Sequence, residues 1–231
     1  MISIKSFTFN PFQENTYIAY DETKECIIVD PGCYDEGENN TLRTFIEENE
    51  LKPVVLVNTH CHLDHVFGNK FVADSYNLTP KMHKLDLPML KYAPMAAQKY
   101  GVHLGELPSS VEFIEEGDLL KFGNSEFEII FTPGHAPGHI CLINKKENIA
   151  LSAVVLFHLS IGRTDLPMGD HETLLSSIRE KLFILNDDMI VYPGHGQQTT
   201  IGFEKSLILR SFIAIKIFLL REFSFIQSNL P

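Results

Sequence analysis

The sequence predicts an α/β protein in which two β-sheets pack face to face and helices cover the outside. Three observations carry this. Apolar, strand-like runs come in two batches, each batch is followed by stretches with helical spacing, and several runs are too uniformly apolar to have a face in water. The chain has 231 residues, 44% of them apolar and 21% charged, enough to bury one sizeable core.

The elements follow in order. ISIKSFTF, NTYIAYD and ECIIVDPG alternate as strands, with NPFQ and DETK supplying turn chemistry between them, which is an antiparallel opening. Residues 38 to 50 place Leu42, Phe45 and Ile46 at helical spacing, and VVLVNTH at 54 to 60 reads as a buried strand. VFGNKFVADSY and residues 85 to 100 read as helices, and FEIIFTPG as a strand. ICLINKKENIALSAVVLF reads as a hairpin turning at NKKEN, residues 170 to 185 as a helix, and DMIVYPGHG as the closing strand. The domain predicted from these runs spans 1–205. Residues 206–231 form an atypical apolar tail, in which Arg210, Lys216 and Arg221 leave no stretch near the ~20 apolar residues that spanning a membrane requires.

A formal charge of -11 argues against nucleic acid or an anionic membrane as partner, because both need an excess of Lys and Arg. The four cysteines, Cys26, Cys33, Cys61 and Cys141, form no CxxC pair, and the N-terminus lacks the apolar core of a signal peptide, so the expected location is the cytoplasm.

The chemistry is concentrated in THCHLDH at 59–65, TPGH at 132–135 and YPGHG at 192–196. Close spacing lets a loop that leaves a strand aim His60, His62, Asp64 and His65 at neighbouring points. His135 and His195 each follow Pro-Gly, where glycine permits the turn that points the next side chain over the sheet edge. Imidazoles and a carboxylate are ligands for zinc or iron. His83, His103, His158 and His171 sit in ordinary contexts, and for His139 packing is the simpler reading.

In this set and order, with NPFQENTY at 10–17, VDPG at 29–32 and SIGRTDLP at 160–167, the chain resembles the metallo-β-lactamase superfamily, and within it the short glyoxalase II-like hydrolases, over residues 1 to 205. The resemblance implies an αββα sandwich of two mixed sheets. It also implies one metal site at His60, His62 and His135 and another at Asp64, His65 and His195, with one or two ions, zinc first and iron or manganese as substitutes. Asp30 would support the metal loop, Asp64 would orient a metal-bound hydroxide, and the substrate would be an acyl thioester such as S-lactoylglutathione. Arg163 and Asp165 would pair at the pocket rim.

One position departs from the pattern. Where such hydrolases usually read SGDVLF, with the Asp bridging both metals, this chain reads SAVVLF, so Ala153 replaces the Gly and Val154 the Asp. Valine offers no lone pair, and the second metal should bind far more weakly than in a relative with Asp. Three readings follow: an impaired hydrolase, a non-catalytic metal-binding or interaction protein that keeps the fold, and an iron-dependent persulfide dioxygenase. The last is disfavoured because its single site draws on the missing Asp.

Overall fold

A computed structural model describes residues 1–207. Apart from Ser206 and Leu207, the apolar tail predicted over 206–231 lies outside the described residues.

The first half comprises β1 (Ser3–Phe9), β2 (Glu14–Tyr20), β3 (Glu25–Val29), α1 (Glu36–Glu48), β4 (Lys52–Val57), α2 (Asn69–Tyr76), β5 (Lys81–His83), α3 (Leu87–Tyr100) and β6 (Glu112–Ile114). The second comprises β7 (Leu119–Phe122), β8 (Ser125–Phe131), β9 (Ile140–Asn144), β10 (Ile149–Ala153), β11 (Leu156–Phe157), β12 (Ser160–Ile161), α4 (His171–Ser177), β13 (Ile190–Pro193) and β14 (Thr199–Thr200). One six-stranded sheet runs β1-β2-β3-β4-β5-β6 and the other β14-β13-β10-β9-β8-β7, while β11 and β12 form a separate small hairpin. Both large sheets are mixed. β1, β2 and β3 are antiparallel as predicted, β3 to β6 run parallel, and in the second sheet β10 and β13 are parallel.

Period-two alternation explains why two sheets and two helical layers cohere. Along β2 and β3, Tyr17, Ala19, Ile27 and Val29 face the core between the sheets, whereas Ile18 and Ile28 face Leu42 and Ile46 of α1 and Val72 of α2. Along β8 and β9, Ile129, Ile140 and Leu142 enter the same central core, and Ile130, Cys141 and Ile143 pack towards Leu174 of α4. Each fully buried Ile or Leu contributes roughly 1.5–3 kcal/mol. A strand buried on both faces has to be apolar throughout, which is how these runs read in the sequence. α1 begins where Asp35 caps it, its carboxylate accepting from the Glu38 backbone N–H at 2.9 Å.

The structure corrects the sequence reading in three places. The helix predicted to 185 is α4 followed by a π turn over Ile178–Leu182. YPGHG does not close the domain, since β14 and a helical stretch at 201–207 follow it. Most importantly, the second arm of the 140–157 hairpin stops at Ala153, and residues 154 and 155 form a turn rather than more strand. Val154 was expected to suit a buried strand; it sits where the strand has ended.

Ala153 takes φ +42°, in the left-handed region that costs a side-chain-bearing residue roughly 1–2 kcal/mol. Ala153→Gly is therefore expected to stabilise the fold by about 1 kcal/mol, net of glycine's greater freedom in the unfolded chain. A rise in Tm of about 2–4 °C checks this, and a fall would show that the Ala153 methyl contributes more by packing than it costs in strain. Among the described residues, no helix is long and apolar enough to cross a membrane.

Candidate metal centre

The predicted ligands converge in one place. His60, His62 and His135 each present a nitrogen within 4.8 Å of the others, and Asp64, His65 and His195 form a second group of the same span. A third combination, Asp30 with His60 and His65, meets the same distance. The loop leaving β4 supplies His60, His62, Asp64 and His65, the last two from a single 3-10 turn over Leu63–His65. His135 and His195 follow the ends of β8 and β13.

The two Pro-Gly turns work differently. Gly134 has φ +132°, as expected of a residue that turns the chain, and a Cβ there would lie 2.3 Å from the Leu174 backbone nitrogen. Gly194 is required by space instead: a Cβ would stand 2.9 Å from His65 Cε1 and 3.1 Å from Val154 Cγ2.

Hydrogen bonds on the far side of each ring fix the tautomers. His135 Nδ1 lies 2.7 Å from the Arg163 carbonyl, His195 Nδ1 3.1 Å from the Gln13 carbonyl and His65 Nδ1 3.0 Å from Asp30 Oδ2. None of these oxygens can donate, so each Nδ1 carries a proton and Nε2 is the nitrogen left to face a metal. For His60, Thr59 Oγ1 stands 3.2 Å from Nδ1 while its own hydroxyl donates to Asp30 Oδ2 at 2.5 Å, so the ring donates to Thr59. His62 Nδ1 lies 2.8 Å from His135 Nε2. Nε2 of both His60 and His65 is buried without a hydrogen-bond partner. Orphaned lone pairs of this kind in a polar cluster are what a cation would satisfy, and nitrogen with carboxylate oxygen is a suitable donor set, so the residues fit a metal ion.

The electrostatics agree. Burial, reinforced by neighbouring imidazoles, pushes His60 well below its ordinary pKa and His135 down to about 3, and burial brings His62 to about 4, so all three are neutral at pH 7. Burial acts to raise Asp64, but His65 and His195 outweigh it and hold the carboxyl well below the usual carboxylate range. His65 is buried too, yet Asp64 and Asp30 raise its pKa.

Asp30 accepts from the Thr59 backbone N–H at 2.7 Å as well as from Thr59 Oγ1 and His65, which ties the two groups of ligands to one carboxylate. Arg163 and Asp165 pair through Nε–Oδ1 and Nη2–Oδ2 contacts of 2.6 Å each, both side chains exposed at the rim. His139 is buried and does more than pack. Its Nε2 accepts the Val154 backbone N–H at 3.2 Å and its Nδ1 lies 3.1 Å from Thr132 Oγ1, so it anchors the turn that carries Val154. His83 stacks on Phe131 and His158 on Phe203, apart from the cluster.

The sequence reading missed the frame that holds the loops. Asn10 Nδ2 donates to the Gly32 and Asp64 carbonyls, Asn15 Nδ2 to those of Pro193 and Gly196, and Thr16 Oγ1 binds both Glu14 and the Asp30 carbonyl. Glu14 is fully buried with Oε1 unpartnered, 3.8 Å from His65 Nδ1; burial, then Asp30, raises its pKa well above the usual carboxylate range. NPFQENTY was the available signal, read as turn and strand and as part of the family pattern, with no role given to its side chains.

A cavity of about 410 Å³ opens over the ligands and is lined by all six of them, and Val154 is part of its wall. Asp64 is the one acid among the described residues of the lining, because Asp30 lies behind His65.

A profile of the metallo-beta-lactamase superfamily matches residues 9–195. The chain is 40% identical to the hydroxyacylglutathione hydrolase GloC of Haemophilus influenzae, over 88% of this chain and 95% of that protein. Among solved structures, it is similar to a protein crystallised in a di-iron-bound form, with TM-score 0.78, 34% identity and coverage of 87% of this chain and 96% of that one. It is also similar to the BLEG-1 B3 metallo-beta-lactamase, with TM-score 0.76, 31% identity and coverage of 88% and 97%.

Proposed function

Because the chain belongs to the metallo-beta-lactamase superfamily, we propose that it is a zinc-dependent hydrolase of the glyoxalase II-like type that cleaves acyl thioesters, with S-lactoylglutathione the first substrate to test. The observation that carries this reading is the anchoring of the rings: four histidines have the far nitrogen committed to a protein acceptor, which leaves Nε2 of each turned to one cluster beside Asp64. His60, His62 and His135 would hold one ion, and Asp64, His65 and His195 a second, with Asp30 orienting His65. The three-histidine set suits zinc. The set with two histidines and a carboxylate also suits iron or manganese, and a similar protein has been crystallised in a di-iron-bound form.

A divalent ion at this place would supply Lewis acidity towards a thioester carbonyl and lower the pKa of water. The protein's own part is orientation. Asp64 Oδ2, kept ionised by His65 and His195, is the acceptor that aims an attacking water, and the anchored rings hold the geometry. A thiolate leaves readily, so the reaction asks little of a general acid.

Protein purified without chelator and reconstituted with zinc is expected to release thiol from S-lactoylglutathione, to lose that activity in EDTA and to regain it with zinc. Metal binding without turnover of any thioester would favour a non-catalytic binding protein. Sulfite formed from glutathione persulfide would indicate the dioxygenase.

A further inference from the structure

The cavity's walls differ sharply from its floor. α3 turns one stripe towards it, Met89, Tyr92, Ala93 and Ala96, at the spacing of successive helical turns. The segment from 154 to 167 adds Val154, Phe157, Ile161, Leu166 and Pro167, with Ser160 as its one uncharged polar member. Positive charge stays at the edge: Lys99 and Arg163 are exposed, and Arg163 is already engaged by Asp165. Val154 extends this apolar surface down to the ligands, because two methyl groups stand where a carboxylate would have made the floor polar.

We propose, resting on the thioester hydrolase reading, that the site selects thioesters with an apolar acyl group, aromatic or branched, seated between the α3 stripe and the 154–167 segment. A lactoyl hydroxyl pointed at these walls would meet mostly carbon, with the Tyr92 and Ser160 hydroxyls as its few partners, whereas a phenyl or branched alkyl group would bury apolar surface on both sides. The volume, about 410 Å³, is in the range of sites that enclose such a group.

The test is binding, measured by calorimetry on the full chain with two unreactive thioethers that share one thiol, S-(3-phenylpropyl)glutathione and S-(2-hydroxypropyl)glutathione. The phenylpropyl compound is expected to bind at least tenfold tighter. That preference should fall below threefold in Ala96→Trp, which fills the α3 side, and in Leu166→Glu, which places a charge on the loop side; Leu166 is only half-buried, so the second variant keeps the test open if the first fails to fold. Equal affinities, tighter binding of the hydroxypropyl compound, binding of neither, or a preference that survives both substitutions would overturn the proposal. Turnover is measured separately: absent thioester hydrolysis with the binding preference intact would sink the hydrolase reading and leave the pocket's selectivity standing.

Discussion

Val154→Asp is expected to raise the metal content of chelator-free protein from below two equivalents per chain to near two. Two dications about 3.5 Å apart repel by roughly 19 kcal/mol at an effective dielectric near 20, and only anions between and around them can offset that. Among the described residues Asp64 is the one acid lining the cavity, and Val154, which lines the same cavity beside Gly194 and His65, adds none. Aspartate is smaller than valine, so the substitution needs no extra room, and the turn is already anchored by the bond from the Val154 N–H to His139. The second ion should bind on the order of 100-fold tighter or more, which at saturating zinc corresponds to about 2.7 kcal/mol of added stability. That is a rise in Tm of about 5–10 °C. In EDTA the sign should reverse, because the new carboxylate is then buried near Asp64 with no cation between them. Two equivalents in the unsubstituted chain would show that the bridging anion is dispensable here.

How much of this was legible follows from where each signal lies. The six candidate ligands, and their convergence on one place, were readable because HxHxDH and the two Pro-Gly-His turns are local patterns. The two-sided strands β2, β3, β8 and β9 were readable because burial on both faces forces continuous apolar sequence. β5, β6, β11, β12 and β14 were not, since runs of two or three residues are too short to show any period. Val154 was misplaced in a strand because Val-Val-Leu-Phe has strand composition, and the break comes from the left-handed backbone at Ala153, which no propensity predicts. Asn10, Gln13, Asn15 and Thr16 were missed for another reason. Their partners are mostly backbone groups brought close by folding, so side-chain spacing gives no hint of them.

Asp30 is where the frame and the ligands meet, and Asp30→Asn is expected to cost the second group of ligands its metal while leaving the fold assembled. Asp30 has φ +49°, a conformation asparagine adopts with little penalty, so the backbone has no reason to move. The amide oxygen can still accept from the Thr59 N–H. The amide nitrogen then faces two groups that donate to the carboxylate, the Thr59 hydroxyl and His65 Nδ1–H. The simplest relief is for His65 to move its proton to Nε2 and accept at Nδ1, which consumes the lone pair it would offer a metal. Losing such a support typically costs 10–100-fold in metal affinity, and the larger figure is expected here because the ligand itself changes tautomer. Exchanging charge-assisted bonds for neutral ones should destabilise the metal-free fold by about 1.5–3 kcal/mol, a fall of about 3–12 °C in Tm. The decisive readout is the ¹⁵N shift pair of the His65 ring in metal-free protein: Nδ1 protonated in the parent, Nε2 protonated in the variant. An unchanged tautomer with lost metal would mean that Asp30 acts only through its charge; an unchanged tautomer with metal retained would remove it from the site altogether.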